Sequence, residues 1–373
     1  MVKEYEYLLL ALVATTVDYE VHRCMAFLPA SELTWIKTIE LAGRHGVRGL
    51  VFSAIELLPR EARPPMRQIM SLYGQTELQK ARYYKQFSVA EKFAAALDAK
   101  GVRMNVLKGI SFSTYYDKPF YRECGDCDCY LTSASHPATE AGSNGFEIGN
   151  KTIVEIGGKA EFGTYKHSHL YLDGLMLENH HYITDFNGTR QGRKTELLLE
   201  RAIDCEPGTP IPGSHMLRPS AHFCVLHCLR HAQGNFMSGG MILRMLYDWA
   251  MIMRSEQNRL DWSRLRTDIA DMRLDAFAGV MTSLCERYLG LRITACDVIR
   301  CNDADLVEAV MMDVLRSDIH PRSGESIWRK TFRILRRFMK MYRFRRFAVE
   351  SVPTMIWNSF AFSSYLRRNI ELS

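Results

Sequence analysis

Two aspartates one residue apart, in Gly125-Asp126-Cys127-Asp128, carry the chain's sharpest chemical signal. In an extended strand, side chains alternate between faces. Asp126 and Asp128 then point one way, and Cys127 and Cys129 the other. Carboxylates that share a face repel one another unless a cation lies between them. Magnesium takes hard oxygen ligands and shares them between one or two carboxylates and substrate phosphates. A third carboxylate from a neighbouring strand would complete a two-metal clamp around an in-line displacement at phosphorus. Glu178 is the candidate. It follows an Asp173-Gly174 turn in Leu175-Met176-Leu177-Glu178-Asn179-His180, alternating with Leu175 and Leu177. His180 shares its face and is a candidate for the acceptor side. Lys108-Gly109 lies at a predicted strand-to-helix junction, where backbone N–H groups can hold phosphate oxygens. Arg122, just before the aspartates, is expected to neutralise a triphosphate.

Other clusters have plainer readings. Cys124, Cys127 and Cys129 suggest a thiolate metal site, but zinc needs four ligands, and no second Cys or His pair stands at a suitable spacing. His227 and His231 lie four apart on one predicted helix, together with Cys224 and Cys228. Packing is the expected role of that pair, with a contribution to a nucleotide or acceptor pocket as the alternative. Between Trp328 and Phe347 there are nine Lys or Arg residues and no acid. Phe332, Leu335, Met339 and Tyr342 recur there at helical spacing, so a basic amphipathic helix is expected. It either packs with a solvated basic face or meets a polyanion, RNA or an anionic membrane surface.

These residues need elements to hold them. Residues 1–101 read as helical, with a long helix from about Arg67 to Lys100 that Gly101 ends. The texture changes at Val102. Strand-like runs at 102–107 and 126–131 follow, then alternating runs to Ile183 punctuated by Gly149-Asn150, Gly157-Gly158 and Asp173-Gly174, which are read as hairpin turns. After 195 the helical period returns. The expected organisation is an N-terminal helical domain (1–101), a small mixed-sheet core (102–190) and a C-terminal helical domain (191–373) that carries the basic segment 328–347. Of the 373 residues 47% are hydrophobic and 24% charged, which excludes a disordered chain. A net charge of +6 allows a polyanionic partner without requiring one. The ten cysteines follow no disulfide spacing. The run Tyr7 to Val17 lacks a basic leader and is too short to span a bilayer. It is expected to be a buried helix of a cytoplasmic protein.

The series Leu107-Lys108-Gly109, Tyr116, Pro119, Arg122, Gly125-Asp126-Cys127-Asp128 and Leu177-Glu178-Asn179-His180 resembles the uncharacterised nucleotidyltransferase family of the DNA polymerase β-like superfamily. Ala42-Gly43-Arg44-His45-Gly46-Val47, His227, His231, Asp248-Trp249-Ala250 and Leu260-Asp261-Trp262 extend the likeness over roughly residues 30–270. The resemblance implies an α/β nucleotidyltransferase core flanked by helices. It also implies magnesium ligands at Asp126, Asp128 and Glu178. Lys108, Gly109, Ser111, Arg122 and Gly125 would be the nucleotide-binding positions, with Ser111 replacing the serine that usually follows the glycine. The implied reaction moves a nucleoside monophosphate from a nucleoside triphosphate (NTP) to an acceptor and releases pyrophosphate. Two other readings are a non-catalytic nucleotide- or RNA-binding protein using the same pocket and basic helix, and a helical scaffold with a vestigial core.

Overall fold

In the computed structural model, residues 3–133, 138–185, 189–295, 297–317, 327–354 and 357 are described. Helix α1 (Glu4–Asp18) is apolar on nearly every side and is buried from Leu8 to Val17, so it forms the centre of a helical layer. Helices α2 (His22–Met25), α3 (Glu32–Arg44) and α4 (Arg48–Leu57) wrap it. Ser31 caps α3 by accepting from the Thr34 amide at 3.1 Å. Pro65 precedes α5 (Met66–Asp98), which runs for 33 residues until Gly101, at φ +70, turns the chain.

A mixed sheet follows. Its strands are β1 (Val102–Val106), β2 (Cys127–Ser133), β3 (Lys159–Phe162), β4 (His167–Leu172), β5 (Leu175–His180), β6 (Thr209–Pro210) and β7 (Met216–Arg218), in the order β3-β4-β5-β2-β1-β7-β6. Strands β2 and β5 at its centre run parallel, while β1–β2 and β4–β5 are antiparallel. A one-turn helix α6 (Ile110–Ser113) follows β1, and α7 (Ala138–Glu155) links β2 to β3. The remaining helices are α8 (Arg190–Asp204), α9 (Ala221–Ser238), α10 (Leu243–Glu256), α11 (Trp262–Asp271), α12 (Asp275–Tyr288), α13 (Ala304–Leu315) and α14 (Ile327–Arg343).

The structure corrects three expectations. Gly149-Asn150 is no hairpin turn but the interior of α7. The glycines of that helix serve close packing. A Cβ at Gly145 would fall 2.4 Å from the Leu131 carbonyl oxygen, and one at Gly149 would fall 2.4 Å from Cδ1 of Leu131. Second, the sheet does not end near 185, because β7 pairs in parallel with β1 and brings residues 209–218 into it. Third, α14 is not packed by the expected stripe. Leu335, Met339 and Tyr342 are exposed, whereas Met341, Phe344 and Phe347 are buried and Phe338 packs against them. The side chain of Phe332 lies outside the described residues.

Two apolar cores result. One unites helices from both ends of the chain, from Leu8 through Phe223 and Trp249 to Phe347. The other lies between the sheet and the second half of α5, around Phe93, Leu97, Cys127 and Leu177. Among the described residues no helix is long and apolar enough to cross a membrane.

Candidate active site

The carboxylates converge at the centre of the sheet. Parallel pairing sets Asp128 opposite Glu178, which puts both side chains on one face, and Asp126 stands just before β2. One oxygen from each of Asp126, Asp128 and Glu178 lies within 4.8 Å of the others. Opposite corners of an octahedron with ~2.1 Å bonds are ~4.2 Å apart, so this spacing suits the hard-oxygen ligands of a small dication. Cys127 and Cys129 lie on the other face, wholly buried in the sheet core. Among the described residues no metal-capable cluster includes a cysteine.

Lys108 occupies the space between the aspartates. Its Nζ is 3.2 Å from both Asp126 oxygens and 2.8 Å from Oδ2 of Asp128. Burial opposes its charge, but Asp128 and Asp126 outweigh burial and raise its pKa. Burial likewise works against ionisation of Asp128, yet Lys108 and His180 hold its carboxyl well below the usual range. Glu178 is also lowered, with burial overcome first by the hydrogen bond from His180. Asp128 and Glu178 are therefore anionic at neutral pH.

The loop that precedes β2 is tied to β1 and the helices. Leu107 N–H donates to the Asp128 carbonyl at 2.9 Å. Gly109 has φ +68, and a Cβ there would stand 3.2 Å from the Asp126 carbonyl oxygen, so glycine lets the turn approach the aspartate loop. A Cβ at Gly125 would meet nothing within 4 Å. Arg122 is not the free cation expected. Its Nε and Nη2 each donate to Asp248 on α10 at 2.8 Å, with the guanidinium buried beneath the loop. The hydroxyl of Tyr116 donates to the same carboxylate at 2.7 Å. Ser111 is also misplaced for a nucleotide: it is fully buried, beside the Cys224 thiol. Geometry explains both outcomes. A one-turn helix rotates Ser111 inward, and Asp248, distant in sequence, claims the arginine.

A cleft of about 520 Å³ opens over Lys108, Asp128, Glu178 and His180. Its far wall is α9, with His227, Arg230 and His231, and α14 reaches its rim through Arg337. Burial pushes His227 down to about 3 and His231 well below its usual value, so both rings are neutral. Arg230 donates to the Gln233 side chain at 3.1 Å and the Asp185 carbonyl at 3.3 Å, and has no carboxylate partner among the described residues. Lys166, just before β4, lines the same cleft and forms no ion pair among the described residues. A larger hollow of about 880 Å³ beside Arg190 and Arg193 contains none of the carboxylates.

Lys166, Arg230 and Asp248 were not singled out as site residues in the sequence. Arg230 carried a signal, since it shares a helix with His227 and His231, and so did Asp248, through the Asp248-Trp249-Ala250 motif of the family likeness. Lys166 carried none, because its place in the cleft depends on α9 lying across from the β4–β5 hairpin.

A family model described as an uncharacterised nucleotidyltransferase matches residues 31–290. The chain belongs to that family. The enzyme's matched region spans α3 to the end of α12 and contains the carboxylates, Lys108, Arg122, Asp248 and the α9 wall of the cleft. No curated protein and no solved structure matches the chain.

Proposed function

We propose that the enzyme is a magnesium-dependent nucleotidyltransferase with a DNA polymerase β-like core. It transfers a nucleoside monophosphate from an NTP to an acceptor hydroxyl, phosphate or similar nucleophile. The observation that carries this reading is the convergence of Asp126, Asp128 and Glu178 on one sheet face under a cationic cleft. The donor set fits magnesium, since every ligand atom is a carboxylate oxygen. When bound there, the metal would supply Lewis-acid stabilisation of charge on the reacting phosphate.

The chain's own groups divide the remaining work. Lys108 neutralises the aspartates in the free enzyme and is placed to turn to phosphate oxygens once they arrive. Lys166 and Arg230 offer further positive charge inside the cleft, where positioning and electrostatics dominate phosphoryl-transfer catalysis. The amide of Gly109 and the open backbone at Gly125 permit close approach of a nucleotide. An acceptor oxygen attacks the α-phosphorus as the bond to the bridging oxygen of pyrophosphate breaks. The proton released from the acceptor passes to Glu178 or solvent, with His180 beside it. Arg337 at the rim brings the basic side of α14 to the acceptor end, which favours an anionic acceptor such as RNA. The nine free cysteines among the described residues suit a reducing cytoplasm.

The decisive assay supplies purified enzyme with magnesium, α-labelled NTPs and cell extract as acceptor source. Wild type transfers label. Asp126→Asn, chosen because Asp126 is partly exposed, loses transfer by at least ~10²-fold. Near wild-type turnover in that variant rules out the mechanism. Binding of magnesium–nucleotide without transfer to any acceptor points to a binding protein instead.

A further inference from the structure

Beside the three carboxylates lies a second donor cluster of different chemistry. His167 and His180 stand directly opposite each other in the antiparallel pairing of β4 with β5. Cross-strand partners share a face, and so does Glu178, two residues before His180. Nδ1 of His167 is 3.4 Å from Oε2 of Glu178, and Nε2 of His180 is 3.5 Å from the same oxygen. All three ligand atoms lie within 4.8 Å of one another. Ligands ~2.05 Å from a tetrahedral ion are ~3.3 Å apart along each edge. Two of the three separations therefore already match tetrahedral edges.

The hydrogen bonding aims the nitrogens. Nδ1 of His180 lies 3.0 Å from the Tyr182 carbonyl oxygen. A carbonyl only accepts, so Nδ1 carries a hydrogen, and Nε2 is the ring nitrogen left facing the cluster. Nε2 donates to Oδ1 of Asp128 at 3.0 Å, with Glu178 beside it. A dication bound here would take the place of that Nε2 proton, and both carboxylates and the ring nitrogen would then face it. Anchoring of the outer ring nitrogen by a carbonyl is the usual way in which a ligand tautomer is fixed. Nδ1 of His167 is buried and makes no hydrogen bond. Its ring is held by stacking on His169, with centroids 5.1 Å apart.

We propose that His167, His180 and Glu178 bind a transition-metal dication of the zinc or cobalt class, with Asp128 Oδ1 within reach as a fourth ligand. Imidazole nitrogen favours such ions, whereas magnesium prefers oxygen. The nitrogen-bearing site is therefore separate in selectivity from the all-oxygen set at Asp126, although the two share Glu178 and, through the fourth ligand, Asp128. It needs no nucleotide and stands or falls apart from nucleotidyl transfer.

The test uses the full chain freed of metal with a chelator, then titrated calorimetrically with zinc in excess magnesium. Cobalt is added in parallel and read by visible absorption. Wild type binds one equivalent of zinc despite the magnesium. His167→Ala and the size-conserving His167→Gln weaken zinc binding at least ~10-fold and lose the cobalt bands, with circular dichroism unchanged. Asp126→Asn, outside the cluster, keeps the zinc affinity. Absence of stoichiometric zinc binding by wild type overturns the proposal. So does wild-type affinity in both His167 variants, or loss of zinc in Asp126→Asn alone, which would place the ion among the carboxylates. None of these results touches transfer with magnesium, which the labelled-nucleotide assay reads separately.

Discussion

Replacing Asp248 with Asn tests whether Arg122 belongs to the scaffold or to the substrate. Asp248 is 4% exposed and accepts three hydrogen bonds, two from Arg122 and one from Tyr116. Asparagine keeps the shape but removes the charge, and its NH₂ group turns a donor toward a guanidinium that has only donors. Arg122 is then left buried without a counter-charge. Breaking such a pair from one side destabilises by about 3–5 kcal/mol. Unfolding entropy of ~2.1 cal/mol/K per residue over 373 residues converts this to a fall in Tm of ~4–6 °C. Scanning calorimetry of Asp248→Asn, of Arg122→Met with Asp248→Leu, and of wild type measures it. The apolar double replacement should be less destabilised than the single one, because no charge is stranded. If Asp248→Asn melts within ~1 °C of wild type while the KM for NTP rises several-fold, Arg122 is a phosphate ligand and the scaffold argument is wrong.

Three further outcomes follow from the same geometry. Lys108→Met removes the ammonium that competes with a dication. Magnesium affinity without nucleotide should rise ~10-fold (~1.4 kcal/mol) while transfer falls, and unchanged affinity by calorimetry would show that Lys108 does not shield the aspartates. Gly74→Ala in α5, where a Cβ meets nothing within 4 Å, should raise stability by ~0.5–1 kcal/mol in urea unfolding. Gly145→Ala should instead lower it by ~1–3 kcal/mol through the clash with the Leu131 carbonyl, and equal shifts at both sites would refute the packing argument. Burial, helped by Glu196, pushes Glu200 up to about 7. Its folded-state value exceeds the unfolded one, so its favourable contribution is complete below the unfolded pKa and lost as pH rises through about 7. Glu200→Gln should therefore raise Tm at about pH 8 and leave it unchanged at about pH 4. The opposite pattern would mean that burial does not govern Glu200.

Short-range chemistry was legible in the sequence. The apolar run at Tyr7–Val17 reads as a buried helix, and it lies in α1, buried from Leu8 to Val17. Pro65 and Gly101 bracket α5 because one cannot follow helical residues and the other readily takes positive φ. The Asp173-Gly174 turn holds both its residues at positive φ, and this sets the register from which Glu178 acquires its neighbours. Counting outward from that turn pairs His167 with His180, so even the nitrogen donors were within reach of the sequence.

Other features depended on contacts that no local pattern encodes. Gly145 and Gly149 resemble turn residues, and only the closeness of α7 to β2 makes them packing residues. The stripe that α14 buries was decided by where α9 and α13 leave room, so Met341 and Phe344 turn inward and Leu335 and Met339 do not. Arg122 was free to serve a phosphate until Asp248, 126 residues away, closed on it. The sequence by itself determined the carboxylates, their common face and the elements that carry them, because strand alternation and turn chemistry act over a few residues. Tertiary structure alone decided which cations reach the cleft, since pairing charges across the chain depends on how helices from both ends pack into one core.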